Sequence, residues 1–251
     1  MTRLKYLTKS LIILFCLLTL TTEVFSEAPY NKTIYSAFIS GDMSKWYTVI
    51  RTIEASNSSN SVNQKLELIN YYYGYIGYLI GKKQNAQAEK LINKGEKLIA
   101  QVLHVSPKNA TAYSFKGSFL GFHIGVNKYK AVFLGSETKS FINKALELDS
   151  QNVQGIIDKG NLLFYEPKFF GGDKKEALIY FLKAAKLLEK NKETNENWVY
   201  LNLLTNIASA YEKTDNLSEA RIIYEKIIRE EPNILWVKEN LYPKLLAKIK
   251  A

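Results

Sequence analysis

A repeated spacing of 43 residues constrains the fold of this chain more than any other feature. Gly74, Gly117 and Gly160 lie 43 residues apart, and Pro107 and Ser150 are separated by the same distance. A fixed spacing of this length indicates that one structural unit is copied along the chain. Stacked copies bury a continuous core, because one unit alone cannot cover its apolar face. The sequence therefore predicts a solenoid.

The repeated unit is predicted to be a pair of helices. In the last unit, apolar residues within 204–211 occur at positions i, i+3, i+4 and i+7, which places them on one helical face. Residues 220–227 repeat that spacing. Between them, Asn216 is expected to cap the second helix, with Glu219 completing a capping box. Pro232 ends the unit, since proline cannot continue a helix. The chain is therefore built from helical hairpins.

The stripe of the second helix recurs in three earlier units, at residues 95–102, 138–145 and 177–184. The predicted fold is all-α, an α-solenoid of stacked helical hairpins with a helix over its open end. The amphipathic segment 234–250 supplies this C-terminal capping helix, and Pro243 is expected to kink it. We assign the hairpin units to about residues 30–56, 67–107, 110–150, 153–190 and 201–234.

The last unit carries a resemblance to a known repeat. Residues 201–234 match the 34-residue tetratricopeptide repeat (TPR) at its small, aromatic and terminal proline positions, and residues 145–152 are similar to the usual ending of its second helix. The chain resembles exported bacterial TPR proteins over roughly residues 67–234. The distance from Gly74 to Gly95 is longer than in the family, which indicates stretched hairpins or inserted loops. A 43-residue period also fits HEAT and armadillo repeats, but the short last unit favours the TPR.

The N-terminus has the pattern of a secretory signal peptide. Three basic residues within the first nine positions precede an apolar run at 11–20 and a polar stretch that ends at Ser26. Because that run is shorter than the roughly 20 residues of a membrane-spanning helix, an uncleaved anchor is the weaker alternative. We expect residues 1–26 to be removed and residues 27–251 to form a single domain, periplasmic or secreted.

Charge and cysteine content restrict the partners. Cys16, the one cysteine, lies within the predicted signal peptide, so the exported chain has no disulfides and must be held together by its core. The net charge of +10 comes mostly from lysines spread along helices, which indicates a solvated surface, although a site for an anionic envelope polymer or membrane face is the alternative. Export argues against a nucleic acid. Membrane contact is expected only through envelope partners.

No motif in the chain indicates catalysis, a cofactor or a metal. His104 and His123 have no spacing to cysteine or to each other that suggests zinc. The loop at 167–173 contains two glycines before a helix, an arrangement that can cradle phosphate. A structural turn is the favoured interpretation, because Asp173 with Glu176 would cap that helix and the carboxylate would repel an anion. We therefore predict that the protein is not an enzyme.

The resemblance directs attention to the inner face of the first helices, which lines the concave groove of TPR proteins. Tyr71, Tyr75 and Tyr78 share one helical face, and tyrosine offers a large contact area with a polar tip. Burial of these tyrosines between units is the alternative, and the sequence leaves it open. The groove candidates are Tyr71, Tyr75, Tyr78, Ser114, Ser118, Asn161, Phe164, Thr205, Ser209 and Glu212.

The predicted function is a non-catalytic exported scaffold that binds a protein or peptide in its concave groove, because repeat solenoids mostly serve as binding surfaces. The alternative is a small-molecule-binding periplasmic subunit of a solute transporter, since the chain also resembles the TPR-type periplasmic component of such systems. A closed apolar cavity would favour the alternative. The sequence indicates neither the oligomeric state nor the identity of the partner.

Overall fold

The computed structural model describes residues 30–56 and 61–250, and the predicted signal peptide at 1–26 lies outside these ranges. Residues Lys32–Ala251 belong to one compact unit. The described helices are α1 (Asn31–Ser40), α2 (Met43–Ser56), α3 (Val62–Gly81), α4 (Asn85–Val105), α5 (Ala110–Val126), α6 (Ala131–Leu148), α7 (Val153–Tyr165), α8 (Lys174–Lys190), α9 (Trp198–Lys213), α10 (Leu217–Glu230) and α11 (Tyr242–Lys250). None of the helices in the described ranges combines the length and apolar character that crossing a membrane requires.

Successive helices pack as antiparallel hairpins. Helix α3 pairs with α4, α5 with α6, α7 with α8, and α9 with α10, and the first helices α3, α5 and α7 also contact one another along the stack. Within each hairpin the apolar faces of the two helices meet, as their amphipathic patterns require. The predicted all-α solenoid of stacked hairpins is therefore confirmed.

Two of the three phasing glycines mark points of close approach between the two helices of a hairpin. A β-carbon added at Gly117 would lie 2.7 Å from the Ile142 side chain, and one added at Gly160 would lie 2.5 Å from the Phe181 ring. Both contacts are too short for a side chain, so only glycine allows the helices to meet there. Gly74 also lies at a close approach, but its neighbours are the indoles of Trp46 and Trp198. The 43-residue step from Gly117 to Gly160 thus follows from a repeated helix–helix contact.

The second helices bury equivalent residues of their apolar stripes where they pack on the first helices. Small and large side chains alternate, so that neighbouring helices interlock. The buried sets are Thr138, Ile142 and Ala145 in α6, Ala177, Phe181 and Ala184 in α8, and Ala220, Tyr224 and Ile227 in α10.

Two predicted helix caps have different outcomes. Asp173 caps α8, because its carboxylate accepts hydrogen bonds from the backbone N–H groups of Lys175 and Glu176 at 2.8 and 3.1 Å. The capping box predicted for α10 is wrong. The Asn216 amide instead donates to the carbonyl and hydroxyl oxygens of Thr214, which stabilises the tight turn before the helix.

The C-terminal capping helix is confirmed and carries a local irregularity. A π-helical segment at Val237–Leu241 precedes α11, and Pro243 follows it directly. Proline has no backbone N–H to donate to an earlier carbonyl, which accounts for the change of helical pitch at this point. Ile234, Val237 and Leu245 are buried, so this region covers the end of the last hairpin.

The N-terminal helix reaches the C-terminal end of the stack. The Phe38 ring of α1 lies 5.5 Å from Trp236 and 6.0 Å from Trp198, measured between ring centroids, and Trp46 lies 4.9 Å from Trp198. The Tyr35 hydroxyl also donates to Glu231 at 2.8 Å. We call Phe38, Trp46, Trp198 and Trp236 the tryptophan cluster. It closes the solenoid on itself, a feature that the repeat pattern does not predict.

Candidate functional site

The predicted groove residues all lie on the first helices α3, α5, α7 and α9, but they differ in exposure. Packing between neighbouring helices covers four of them. The buried positions are Tyr71, Tyr75, Ser114 and Thr205. Six positions keep part of their surface in solvent, namely Tyr78, Ser118, Asn161, Phe164, Ser209 and Glu212.

The tyrosines of α3 divide between core and surface. The Tyr71 hydroxyl donates to Glu67 on its own helix, and the Tyr71 carbonyl accepts a hydrogen bond from the Trp46 indole at 3.0 Å. Tyr75 is stacked on Tyr47 with ring centroids 5.3 Å apart, and the Tyr78 ring lies 5.7 Å from Tyr75 on its other side. Burial between units therefore holds for Tyr71 and Tyr75, whereas Tyr78 remains accessible.

A polar network centred on Asp158 occupies the inner face below the accessible positions. Asp158 is 1% exposed, and its carboxylate accepts hydrogen bonds from Tyr73 at 2.9 Å and from Gln154 at 3.0 Å. The Ser114 hydroxyl donates to the same carboxylate. These partners come from α3, α5 and α7, so a single side chain links three hairpins.

The network continues along the stack through amide side chains. Asn161 donates to the Tyr73 hydroxyl at 2.9 Å, and Asn206 of α9 donates to the Asn161 carbonyl oxygen at 3.4 Å. Asn161, a predicted groove residue, therefore already has internal partners on both sides. We define Tyr73, Ser114, Gln154, Asp158, Asn161 and Asn206 as the Asp158 network.

Burial determines the electrostatics of this network. Loss of solvent raises the pKa of Asp158 to about 6, and the hydrogen bonds from Ser114, Gln154 and Tyr73 offset part of that effect. Burial, together with the charge of Asp158, also raises the pKa of the Tyr73 hydroxyl. Sequence reasoning missed this residue, although a carboxylate that directly follows Ile156 and Ile157 in a first helix is a signal that could have found it.

The loop between α7 and α8 has the geometry of a structural turn. Gly171 adopts φ +103°, in the left-handed region that favours glycine, and a β-carbon on Gly172 would lie 1.9 Å from the Glu166 carbonyl oxygen. The Asp173 carboxylate holds the first N–H groups of α8, where a phosphate would otherwise bind. Both glycines are therefore required by the backbone.

The two histidines have ordinary surroundings. His123 lies 3.3 Å from the Glu96 carboxylate, whereas His104 is exposed at the end of α4. Within residues 30–56 and 61–250, no cluster of three or more histidine, cysteine, aspartate or glutamate side chains could hold a metal ion.

Two depressions on the described surface are shallow or small. One of about 540 Å³ is lined by residues of α2 and is open to solvent. The other, about 150 Å³, lies between α4 and α5, and its volume is small beside the roughly 300–1,000 Å³ of typical ligand pockets. Neither of these two depressions combines enclosure with the volume of a typical ligand pocket.

The paired helices, the close contacts at glycine and the capped end define a TPR-like helical-repeat fold. No family model and no curated protein sequence matches the chain. Solved structures do match it. The HusA haemophore from Porphyromonas gingivalis has a TM-score of 0.60 and 15% identity, over 77% of this chain and 97% of that chain. A thermophilic TPR protein from Thermus thermophilus has a TM-score of 0.56 and 11% identity, over 88% of this chain and 100% of that chain.

Proposed function

We propose that the protein is an exported, non-catalytic binding module whose partner is a protein or peptide. The observation that carries this proposal is that each of the four first helices, α3, α5, α7 and α9, keeps at least one predicted groove residue partly exposed. Helices in contact lie about 8–10 Å apart, so four of them present a row roughly 30 Å long. An extended peptide of about nine residues spans that length. We define the inner row as Tyr78, Ser118, Phe164, Ser209 and Glu212.

The chemistry of the inner row suits a peptide. Tyr78 and Phe164 offer ring faces, and each has a lysine ammonium near it, Lys82 at 5.8 Å and Lys174 at 5.7 Å from the ring centroid. Aromatic rings are frequent anchors of protein interfaces, and hydroxyl groups such as that of Ser209 pair with peptide backbone groups. The Asp158 network beneath the row fixes the helices, so binding would cost little rearrangement.

The test removes the two rings of the inner row. Partners are captured from intact envelopes with the processed protein as bait, and the affinity of the main captured protein is then measured. The Tyr78→Ala, Phe164→Ala double variant should bind it at least tenfold more weakly, because aromatic anchors often contribute more than about 1 kcal/mol each.

The matched control is the Ile179→Ala, Ile222→Ala double variant. Both isoleucines are exposed apolar residues on second helices, away from the inner row. The control should bind like the parent. The Tyr78→Ala, Phe164→Ala variant should melt somewhat below the parent because Phe164 packs against the core, so binding is compared at a temperature where all three proteins are folded. If the folded Tyr78→Ala, Phe164→Ala variant binds the partner as tightly as the parent does, the binding site is not the inner row.

A second candidate function is a carrier of a small molecule, the alternative that the sequence left open. The similarity to the HusA haemophore over 97% of that chain favours it, with haem as the ligand to test. Tyrosine can ligate haem iron, and Tyr129 and Tyr165 are highly exposed. If this candidate is correct, haem added to the processed protein should give a shifted Soret band that saturates at a fixed stoichiometry and changes in the Tyr129→Phe or Tyr165→Phe variant. A spectrum equal to that of free haem would dismiss it.

A further inference from the structure

Five apolar side chains project into solvent from the ends of two neighbouring hairpins. Three lie in the 3-10 turn at Lys128–Lys130 before α6 and in the first turn of α6 itself, and two lie in the connection between α7 and α8, which contains a 3-10 turn at Lys168–Phe170. We call them the tip patch. Its members and their exposed fractions are Tyr129 87%, Val132 83%, Phe133 79%, Phe169 92% and Phe170 58%.

The two connections lie side by side on one edge of the solenoid. The Lys139 ammonium of α6 donates to the Phe170 carbonyl at 2.6 Å and pairs with the Glu166 carboxylate at 2.8 Å. The second loop is thus held against the helix that begins at the first. The Phe169 and Phe170 rings contact each other edge to face at 5.2 Å, which stabilises the projecting loop without covering it.

The tip patch is specific to the middle of the stack. The corresponding turns of the first and last complete hairpins, at 82–84 and 214–216, contain only polar residues. Solvent-exposed rings in adjacent loops contribute little to the stability of the fold, because they remove almost no apolar surface from water. Their concentration at one edge therefore indicates a contact with something outside the chain.

Positive charge accompanies the apolar side chains. Lys128 and Lys168 lie directly beside the rings in sequence, and neither forms an ion pair with a carboxylate of the described ranges. Lys130 pairs with Glu89 at 3.1 Å, at the inner side of the same turn. Asp173, behind the second loop, is engaged as the cap of α8. The outer surface of the tip patch is therefore aromatic and cationic.

We propose that the tip patch inserts into the surface of an anionic lipid bilayer. Aromatic rings favour the boundary between headgroups and acyl chains, and nearby lysines are attracted by anionic headgroups. The rings project as two convex loops and line no groove, a shape that a fluid lipid surface accommodates without a complementary protein pocket. Contact with the membrane is then direct, whereas the sequence led us to expect contact only through envelope partners.

The orientation that follows is compatible with the proposed function but independent of it. The tip patch occupies the edge formed by the hairpin ends, whereas the inner row lies along the first helices. Insertion of the tips would hold the solenoid on the membrane by one edge. A failure of lipid binding would therefore leave the peptide proposal intact. A failure of peptide binding would equally leave the lipid proposal intact.

The experiment measures partition of the processed protein onto vesicles of phosphatidylglycerol and phosphatidylcholine, with pure phosphatidylcholine vesicles as reference. The parent should sediment with the anionic vesicles and lose that binding at high salt, because salt screens the lysines. The Phe133→Ser, Phe169→Ser variant should partition at least tenfold more weakly. The Ile179→Ser, Ile222→Ser variant removes two isoleucines of similar exposure from second helices and should partition like the parent.

A second measurement reports insertion directly. Tryptophan placed at position 169 by the Phe169→Trp substitution should show a blue-shifted emission when anionic vesicles are added, relative to the parent protein under the same conditions. Absence of vesicle binding, equal loss in the isoleucine control, or an unshifted emission would overturn the proposal. So would a Phe133→Ser, Phe169→Ser variant that binds vesicles normally but no longer captures a protein, since the tip patch would then be a protein interface.

Discussion

Replacing Trp198 by alanine should lower the free energy of unfolding by about 3–5 kcal/mol, the usual cost of deleting a large buried ring. Trp198 is 4% exposed and lies within 4.9 Å of Trp46 and 6.0 Å of Phe38 between ring centroids. It also lies against Gly74, where any side chain would collide with the two indoles. The deletion would leave a cavity where α1, α2, α3 and α9 meet, and rigid helices can fill such a cavity only in part.

Urea unfolding followed by circular dichroism gives the free energy, and Tyr129→Ala supplies the control. Tyr129 is an aromatic side chain with 87% of its surface exposed, so its removal should change stability by less than about 0.5 kcal/mol. A double-mutant cycle between Phe38→Ala and Trp198→Ala should also give a coupling energy, since the two rings share one cavity. Equal stability of the Trp198→Ala and Tyr129→Ala variants would show that closure of the solenoid does not stabilise the protein.

The repeat itself could be predicted because its determinants are local. Each apolar stripe follows the helical period within one helix, and two of the phasing glycines meet a side chain of the next helix in the same hairpin, as Gly160 meets Phe181. Such contacts span few residues, so they leave a regular pattern in the sequence. The capping helix could be predicted for the same reason.

Closure of the solenoid could not be predicted from that pattern. The small rotation between successive units decides whether the chain forms an open arc or a closed ring, and the period does not encode it. Phe38 and Trp236 are in contact although almost the whole described chain separates them. The repeat register assigned Tyr71, Tyr75 and Tyr78 to one face, yet packing against α2 buries the first two and leaves the third partly exposed. Contacts between hairpins thus determined which candidates remain available to a ligand.

The stability of the protein should depend on pH because Asp158 is buried. Its pKa is raised by burial from 3.8 to about 6 in the folded protein. The folded state then binds the proton more tightly than the unfolded state, so the contribution of Asp158 to stability is fully present below about pH 4 and is lost as the pH rises through about 6. The difference between the two pKa values corresponds to about 3 kcal/mol.

The Asp158→Asn variant isolates this effect, because asparagine has nearly the same shape and stays neutral at every pH tested. The hydroxyl groups of Ser114 and Tyr73 can rotate to accept from its amide, as they would from the protonated acid. Between about pH 3 and pH 7.5, the stability of the variant relative to the parent should therefore rise by about 3 kcal/mol. A relative stability of Asp158→Asn that stays constant with pH would mean that water or a cation reaches the carboxylate, and that the Asp158 network is not closed in solution.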